Sequence, residues 1–226
     1  MRRVVVLALL ALTLPIAAWA DGITLTNQFG SISVSDAGLS TVGSELTQFG
    51  NYQAAKGHSL GTVSYSTGAL TSGSIAAGGT FSVTGSTFDV IGRGAWAKSL
   101  NGWSHGKVTL FAGSFVDTAQ YPNGIVWTLT SSKGANLTYS LSGDLQGTLY
   151  TGRQVTGVTT QDFVTTKGQL AAGVGHIKIG GTTLSTPEPG TLGLLGSGLV
   201  GIAAMFRRKT IGSNLNFVGS PRTLDS

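Results

Sequence analysis

Apolar and hydroxyl side chains alternate in short runs along most of the chain, between residues 23 and 184, and Gly, Asn or Asp separates the runs. A period of two is typical of a half-buried β-strand, because successive side chains point to opposite faces of a sheet. The clearest runs cover residues 62–66, 108–112, 125–130 and 137–141. They predict an antiparallel all-β domain.

Two of these runs predict a hairpin with a shared apolar face. Three alternate side chains on each run fall on the same side, and residues 131–135 would close the turn between them. The six predicted core residues are Ile125, Trp127, Leu129, Leu137, Tyr139 and Leu141.

The spacing of the runs predicts the architecture. Strands recur at intervals of about 8 to 12 residues with turn residues between them, as expected for an antiparallel β-sandwich, with a β-barrel as the alternative. Residues 39–55 are the least strand-like stretch and predict a short helix or an ordered loop. No segment of the domain, this one included, has a convincing helical spacing of apolar residues.

The N-terminal segment has the features of a secretory signal peptide. Arg2 and Arg3 precede an apolar run, and Ala18 and Ala20 form a small-x-small cleavage site. We therefore expect residues 1–20 to be removed, so that the mature chain begins at Asp21 with a β-rich domain over residues 21–185.

A second apolar segment, residues 191–206, predicts a membrane-spanning helix. At 1.5 Å per residue it would be about 24 Å long, and basic side chains that reach the headgroups would extend it towards the ~30 Å hydrocarbon core. Basic residues after the span predict a cytoplasmic tail and place the domain on the far side of the membrane. The preceding hinge is Pro187, Glu188 and Pro189, and the basic stop is Arg207, Arg208 and Lys209.

The Pro-Glu-Pro hinge, the Gly-rich span and the basic stop together resemble the PEP-CTERM sorting signal, over residues 186–209. In that family the signal is recognised by an exosortase, a membrane cysteine protease. The resemblance implies export of a bacterial protein, transient anchoring, cleavage near the hinge, and delivery to the cell surface or an exopolysaccharide matrix. In the family the basic stop lies close to the chain end, whereas here residues 210–226 follow it and are expected to be disordered.

The charge distribution narrows the range of partners. The chain carries a net charge of +5, yet residues 21–186 contain eight basic and seven acidic side chains. The domain is therefore nearly neutral, and nucleic acid is not an expected partner. The absence of cysteine excludes disulfides, thiolate metal sites and a cysteine nucleophile.

The most unusual stretch of the domain is a predicted Gly-rich loop over residues 92–106. It contains Trp96, Asn101 and Trp103 together with two cations. Flat aromatic faces beside hydrogen-bonding side chains suit a sugar, so these three residues are candidate carbohydrate contacts and exopolysaccharide is the candidate ligand. The alternative is that both tryptophans fold back and close the end of the sandwich.

No catalytic residue, cofactor or metal ligand is assigned. Each aspartate stands alone near a predicted turn, where aspartates usually bond to their own backbone, and the histidines lack metal-ligand spacing. The residues in question are Asp89, Asp117, Asp144, Asp162, His58, His105 and His176. We therefore expect a non-catalytic structural or adhesive protein of the envelope or matrix. A carbohydrate-binding module is the alternative, and a secreted hydrolase is a more distant one.

Overall fold

The predicted strands form one continuous antiparallel sheet. The computed structural model describes residues 22–185, apart from residues 102–105, 120, 123 and 172. The strands are β1 (Gly22–Gln28), β2 (Ser31–Ser35), β3 (Gly38–Val42), β4 (Ser44–Phe49), β5 (Tyr52–Gln53), β6 (Gly61–Ser66), β7 (Leu70–Ser74), β8 (Gly78–Phe81), β9 (Thr87–Arg93), β10 (Lys107–Val116), β11 (Ile125–Lys133), β12 (Asn136–Leu149), β13 (Gln154–Thr166) and β14 (Val174–Ser185). The helices are α1 (Ala95–Asn101) and α2 (Lys167–Ala171).

Eight of these strands close into a barrel. Antiparallel pairing runs from β1 through β14, β13, β12, β10, β9, β6 and β4 and returns to β1. The all-β prediction is confirmed, but the architecture is the barrel alternative and the preferred sandwich is wrong. Alternation could not separate the two, because strands of both architectures bury every second side chain. Closure depends on the long-range pairing of β1 with β14, which leaves no local signal.

The first hairpin of the barrel bends in the middle. β2 continues β1 along β14, and both pairings keep the same register. The bend falls at Phe29 and Gly30, with φ of 60° and 83°, and the neighbouring strand bends at Gly43, with φ of 73°. A Cβ on Gly30 would overlap the backbone of Ser44, so this close approach requires glycine.

Residues 39–55 form β3, β4 and β5, so the prediction of a helix or loop there is wrong. The bend at Gly43 shifts the alternation by one residue. In addition, two inward positions are polar: Thr41 and Ser44 are buried. The hydroxyl of Thr41 accepts a hydrogen bond from the Tyr65 N–H at 2.9 Å. An apolar pattern cannot reveal a strand whose inward residues are satisfied polar groups.

The predicted hairpin over residues 125–141 is confirmed as β11 and β12. Trp127 lies opposite Leu141, and Leu129 lies opposite Tyr139, although Leu129 is only half-buried. The strands extend further than predicted and leave a two-residue turn. β11 pairs with the first half of β12 while β10 pairs with the second half, so β11, β8 and β7 form a branch outside the ring.

The connection between β7 and β8 covers this hairpin. The indole N–H of Trp127 donates to the Ile75 carbonyl at 3.0 Å, and the Tyr139 hydroxyl donates to the Ala76 carbonyl at 2.8 Å. The Trp127 and Tyr139 rings are stacked with their centroids 4.5 Å apart. The branch therefore seals one end of the core with paired polar tips.

Glycines inside the barrel make room for aromatic rings. A Cβ on Gly113 or Gly147 would collide with the Phe111 ring, and a Cβ on Gly143 would collide with the Phe115 ring. Both phenylalanines are buried. These three glycines thus serve packing, because a small residue facing a large ring fills the interior without overlap.

A buried polar network crosses β1, β4, β13 and β14. The Asn27 side-chain amide donates to Ser44 Oγ at 2.7 Å and to Gln161 Oε1 at 2.9 Å. The Gln161 amide returns a bond to Asn27 Oδ1 at 3.2 Å and donates to Thr159 Oγ1 at 3.0 Å. Such a network fixes the strand register, because a shifted strand would leave these groups without partners.

Candidate functional site

Both ends of the described domain leave the barrel side by side. Gly22 on β1 is the register partner of Ser185 on β14. Because ring strands alternate in direction, the connections that follow β4, β9 and β12 lie at this same end. We call it the exit end: Gly22, Ser185 and the described residues of the three connections, 50–60, 93–101 with 106–107, and 150–153.

The exit end has a strong excess of positive charge. Its three connections contain five basic side chains and no acidic one. All five are exposed, and none forms an ion pair within the described part of the chain. The five are Lys56, Arg93, Lys98, Lys107 and Arg153. Asp21 and Glu188, the acidic residues nearest the two chain exits in sequence, lie outside the described residues.

The opposite end is balanced. Asp36 lies in the β2–β3 turn and Asp117 follows β10, while Lys133 ends β11 and Lys167 begins α2. The domain is thus nearly neutral as a whole, but its positive excess is concentrated at the exit end, and most of its other acidic side chains lie on the strands. Composition cannot predict this charge distribution, because the distribution depends on which connections lie at the same end of the barrel.

Trp96 lies at the exit end and is half-buried. Its indole N–H donates to the Leu60 carbonyl at 2.9 Å, and its ring packs 6.2 Å from Phe49 between centroids. Its other aromatic neighbour is Tyr52, at 5.2 Å, whose side chain is 41% exposed. Trp96 therefore covers the core at this end, and Tyr52 offers an aromatic face to solvent.

The predicted Gly-rich loop is partly a helix. Residues 92–93 end β9, Gly94 turns the chain with φ of 88°, and α1 follows. The prediction of a loop was wrong there because two helical turns are too short to show a period, although Ala95, Ala97 and Leu100 are good helix formers. Trp103 and the side chain of Asn101 lie outside the described residues, so the carbohydrate contacts stay a prediction.

A shallow groove of about 370 Å³ opens beside the aromatic group. Asn51, Tyr150 and Arg153 contribute an amide, a half-buried ring and an exposed guanidinium to its lining. Sequence analysis missed these residues and Tyr52. Their neighbourhood follows from strand directions, and the unrecognised β3 and β4 prevented those directions from being assigned.

The aspartates weighed for catalysis lie mostly within strands and not near turns. Asp89 is on β9, Asp144 on β12 and Asp162 on β13. Partial burial raises the pKa of Asp89, and Asp144 accepts a hydrogen bond from the Thr118 hydroxyl. Among the described residues no group of three or more His, Cys, Asp or Glu side chains could hold a metal ion. His105 lies outside those residues.

The predicted targeting segments also fall outside the described part of the chain. They are the signal peptide with Ala18 and Ala20, the hinge Pro187–Pro189, the span over residues 191–206, the basic stop and the tail. Within the described ranges, no helix has the length and apolar character needed to cross a membrane.

Comparison with known proteins identifies one segment. No curated protein and no solved structure matches the chain. The family model of the PEP-CTERM protein-sorting motif matches residues 185–209, which begin at the last residue of β14. The chain therefore carries a PEP-CTERM sorting motif directly after its β-barrel, and this motif indicates a protein that an exosortase sorts towards the cell surface.

Proposed function

We propose that the protein is a non-catalytic structural or adhesive component of the bacterial cell surface or extracellular matrix. The observation that supports this most is the position of the sorting motif, which begins where the barrel ends and so makes the barrel the sorted cargo. Signal peptide, sorting motif and barrel would then act in sequence: export, transient anchoring and presentation.

The construction of the barrel is compatible with this role. Aromatic rings and a hydrogen-bonded polar network fill its interior, and the exposed strand faces are rich in Thr and Ser. A cysteine-free protein outside the cell needs such packing, because no disulfide supports it.

The test is the intact mass and location of the protein in its native host. Wild type is compared with a variant in which Pro187, Glu188 and Pro189 are replaced by alanine. We expect the wild type to yield a surface-associated or released form that ends near residue 187, and the variant to stay in the membrane fraction. A wild-type chain that remains membrane-bound and extends to Ser226 would contradict the proposal.

A carbohydrate-binding module for exopolysaccharide is the second candidate. The exposed Tyr52 ring beside Trp96, next to the groove lined by Asn51 and Arg153, favours it. Replacing Trp96 would also damage the core, so Trp103→Ala and Tyr52→Ala are the better variants. Unchanged retention on the host's polysaccharide in both variants would remove this candidate. The more distant alternative, a secreted hydrolase, has no supporting observation among the described residues.

A further inference from the structure

Two independent features of the exit end favour contact with a membrane surface. It holds five exposed cations without an ion pair among the described residues, and the chain continues from it into the matched sorting motif. We propose that, while the chain is anchored, the exit end docks on the anionic phospholipid headgroups of the membrane. The inference rests on the proposed function only for the existence of an anchored stage, and it adds a lipid-binding surface on the barrel.

Chain length supports the docking. Six Cα steps separate Ser185 from Thr191, where the predicted span begins, so the connecting segment spans at most roughly 20 Å. The exit end is therefore confined near the headgroups for as long as the span is inserted. Confinement makes the association intramolecular, and a weak attraction for each charge then suffices.

The chemistry of the exit end suits an anionic interface. Clustered Lys and Arg near a membrane are attracted to acidic lipids within about one Debye length, or ~8 Å at physiological salt. Tyr52 has an exposed ring with a polar tip, the kind of side chain that settles at headgroup level. The opposite end, with two acidic and two basic side chains, lacks this bias.

An acidic polysaccharide offers similar chemistry, but the chain exit favours lipid. The cations surround the strand end from which the anchored chain continues, so they face the membrane and not the medium beyond it. A surface that binds polymer from the matrix would be more accessible at the opposite end of the barrel, which points away from the membrane.

The test uses the full chain reconstituted into vesicles. Because the protein has no cysteine, one label can be placed at the exit end through Thr151→Cys, and a matched label at the opposite end through Ala135→Cys; both positions are exposed. The vesicles contain phosphatidylcholine alone or with phosphatidylglycerol, and a headgroup-attached quencher reports proximity. We expect quenching at position 151 to rise about threefold with the acidic lipid and to fall back in high salt, with little change at position 135.

Charge variants separate local docking from net charge. A triple variant with Lys98→Gln, Lys107→Gln and Arg153→Gln is expected to lose the dependence on acidic lipid. A matched variant with Lys133→Gln, Lys167→Gln and Lys178→Gln should keep it, although it loses the same charge. The matched lysines are exposed and lie outside the exit end.

Three results would overturn the inference. Quenching at position 151 could be equal in both vesicle types, or both triple variants could lose the lipid dependence to the same degree. The third result is that alginate at equal anionic charge protects the label from a water-soluble quencher better than the acidic vesicles do. The surface would then bind an acidic polymer and not lipid. Each leaves surface sorting untouched, because sorting is measured by mass and location in the host.

Discussion

At the residue scale, two adjacent glycines on β14 show how the interior polar network is accommodated. Gly180 faces inward, and a Cβ there would overlap both Gln161 Oε1 and Asn27 Oδ1. Gly181 faces outward, and a Cβ there would meet nothing within 4 Å. Gly180 is therefore required by the Asn27–Gln161 pair, whereas Gly181 is not required by any contact.

This pair of glycines gives a matched prediction. Gly180→Ala should lower the free energy of unfolding by about 1 to 3 kcal/mol, because a core without space must shift or break the amide pair. Gly181→Ala should be neutral or stabilise by up to about 0.5 kcal/mol, since it lowers the entropy of the unfolded chain. Urea unfolding of the two variants measures the difference, and equal effects would contradict the packing described.

Tyr65 contains a buried group that the fold does not satisfy. Its side chain is 2% exposed, it stacks on Phe88 at 5.4 Å, and its hydroxyl has no hydrogen-bond partner among the described residues. Tyr65→Phe keeps the ring and removes the desolvated hydroxyl. We expect a gain of about 1 kcal/mol in the free energy of unfolding at neutral pH.

The same variant should change the alkaline stability profile. Burial raises the pKa of Tyr65 well above its ordinary value. Above pH ~10 this tyrosine ionises in the unfolded chain but stays protonated in the folded chain. The free energy of unfolding is therefore unaffected by this group below that pH and falls as the pH rises above it. Tyr65→Phe should reduce the slope of the free energy of unfolding against pH, measured by urea unfolding between about pH 9 and pH 11. Some slope will remain because burial also raises the pKa of Tyr139. An identical slope in the variant would argue against a buried hydroxyl.

At the element scale, the β11–β12 hairpin depends on its turn. Lys133 and Asn136 are register partners, which leaves Gly134 and Ala135 as a two-residue loop. Gly134 has φ of 62°, as a tight hairpin turn with glycine in its first central position requires. The local sequence therefore specifies this hairpin strongly, and sequence analysis found it.

Gly134→Ala should destabilise the protein by about 1 kcal/mol through backbone strain, because nothing lies within 4 Å of the added Cβ. Gly106→Ala is the matched control: its Cβ also meets nothing, and its φ is ordinary. Thermal unfolding compares the two. A loss as large in Gly106→Ala would rule out the strained turn as the cause.

At the scale of the whole molecule, stability depends on the strand pairing that closes the ring. β14, the last strand, pairs with β1, the first strand, on one side and with β13 on the other. β7, by contrast, is an edge strand of the branch, and among the described strands it pairs with β8 alone. Closure leaves the eight strands of the ring without the open edges that an unclosed sheet would offer to other chains.

Proline in these two strands tests the closure. Thr183→Pro removes a backbone donor from a strand that is paired on both sides and should cost about 3 kcal/mol or prevent folding. Ser72→Pro on β7 should cost far less, and both side chains are exposed, so burial does not differ. Circular dichroism with urea unfolding gives the comparison. Equal losses would contradict a closed ring.

The sequence by itself determined what is encoded locally. Alternation identified the antiparallel β-structure and the β11–β12 hairpin, and composition excluded disulfides. Contiguous apolar and basic segments predicted the targeting signals. The sorting motif is confirmed, and the signal peptide and the membrane span stay predictions. Alternation of apolar and polar residues did not predict β3 and β4, because inward residues of these strands, Thr41 and Ser44, are polar.

Only the tertiary structure decided what depends on pairing between distant strands. The seam between β1 and β14 makes the sheet a barrel, brings Asn27 to Gln161, and places five cations from three separate connections around one end. Such contacts form between residues that are distant in sequence. The local sequence around each residue therefore does not predict them. The physical reason is that local propensity acts over a few residues, whereas strand register and direction are fixed by the whole sheet.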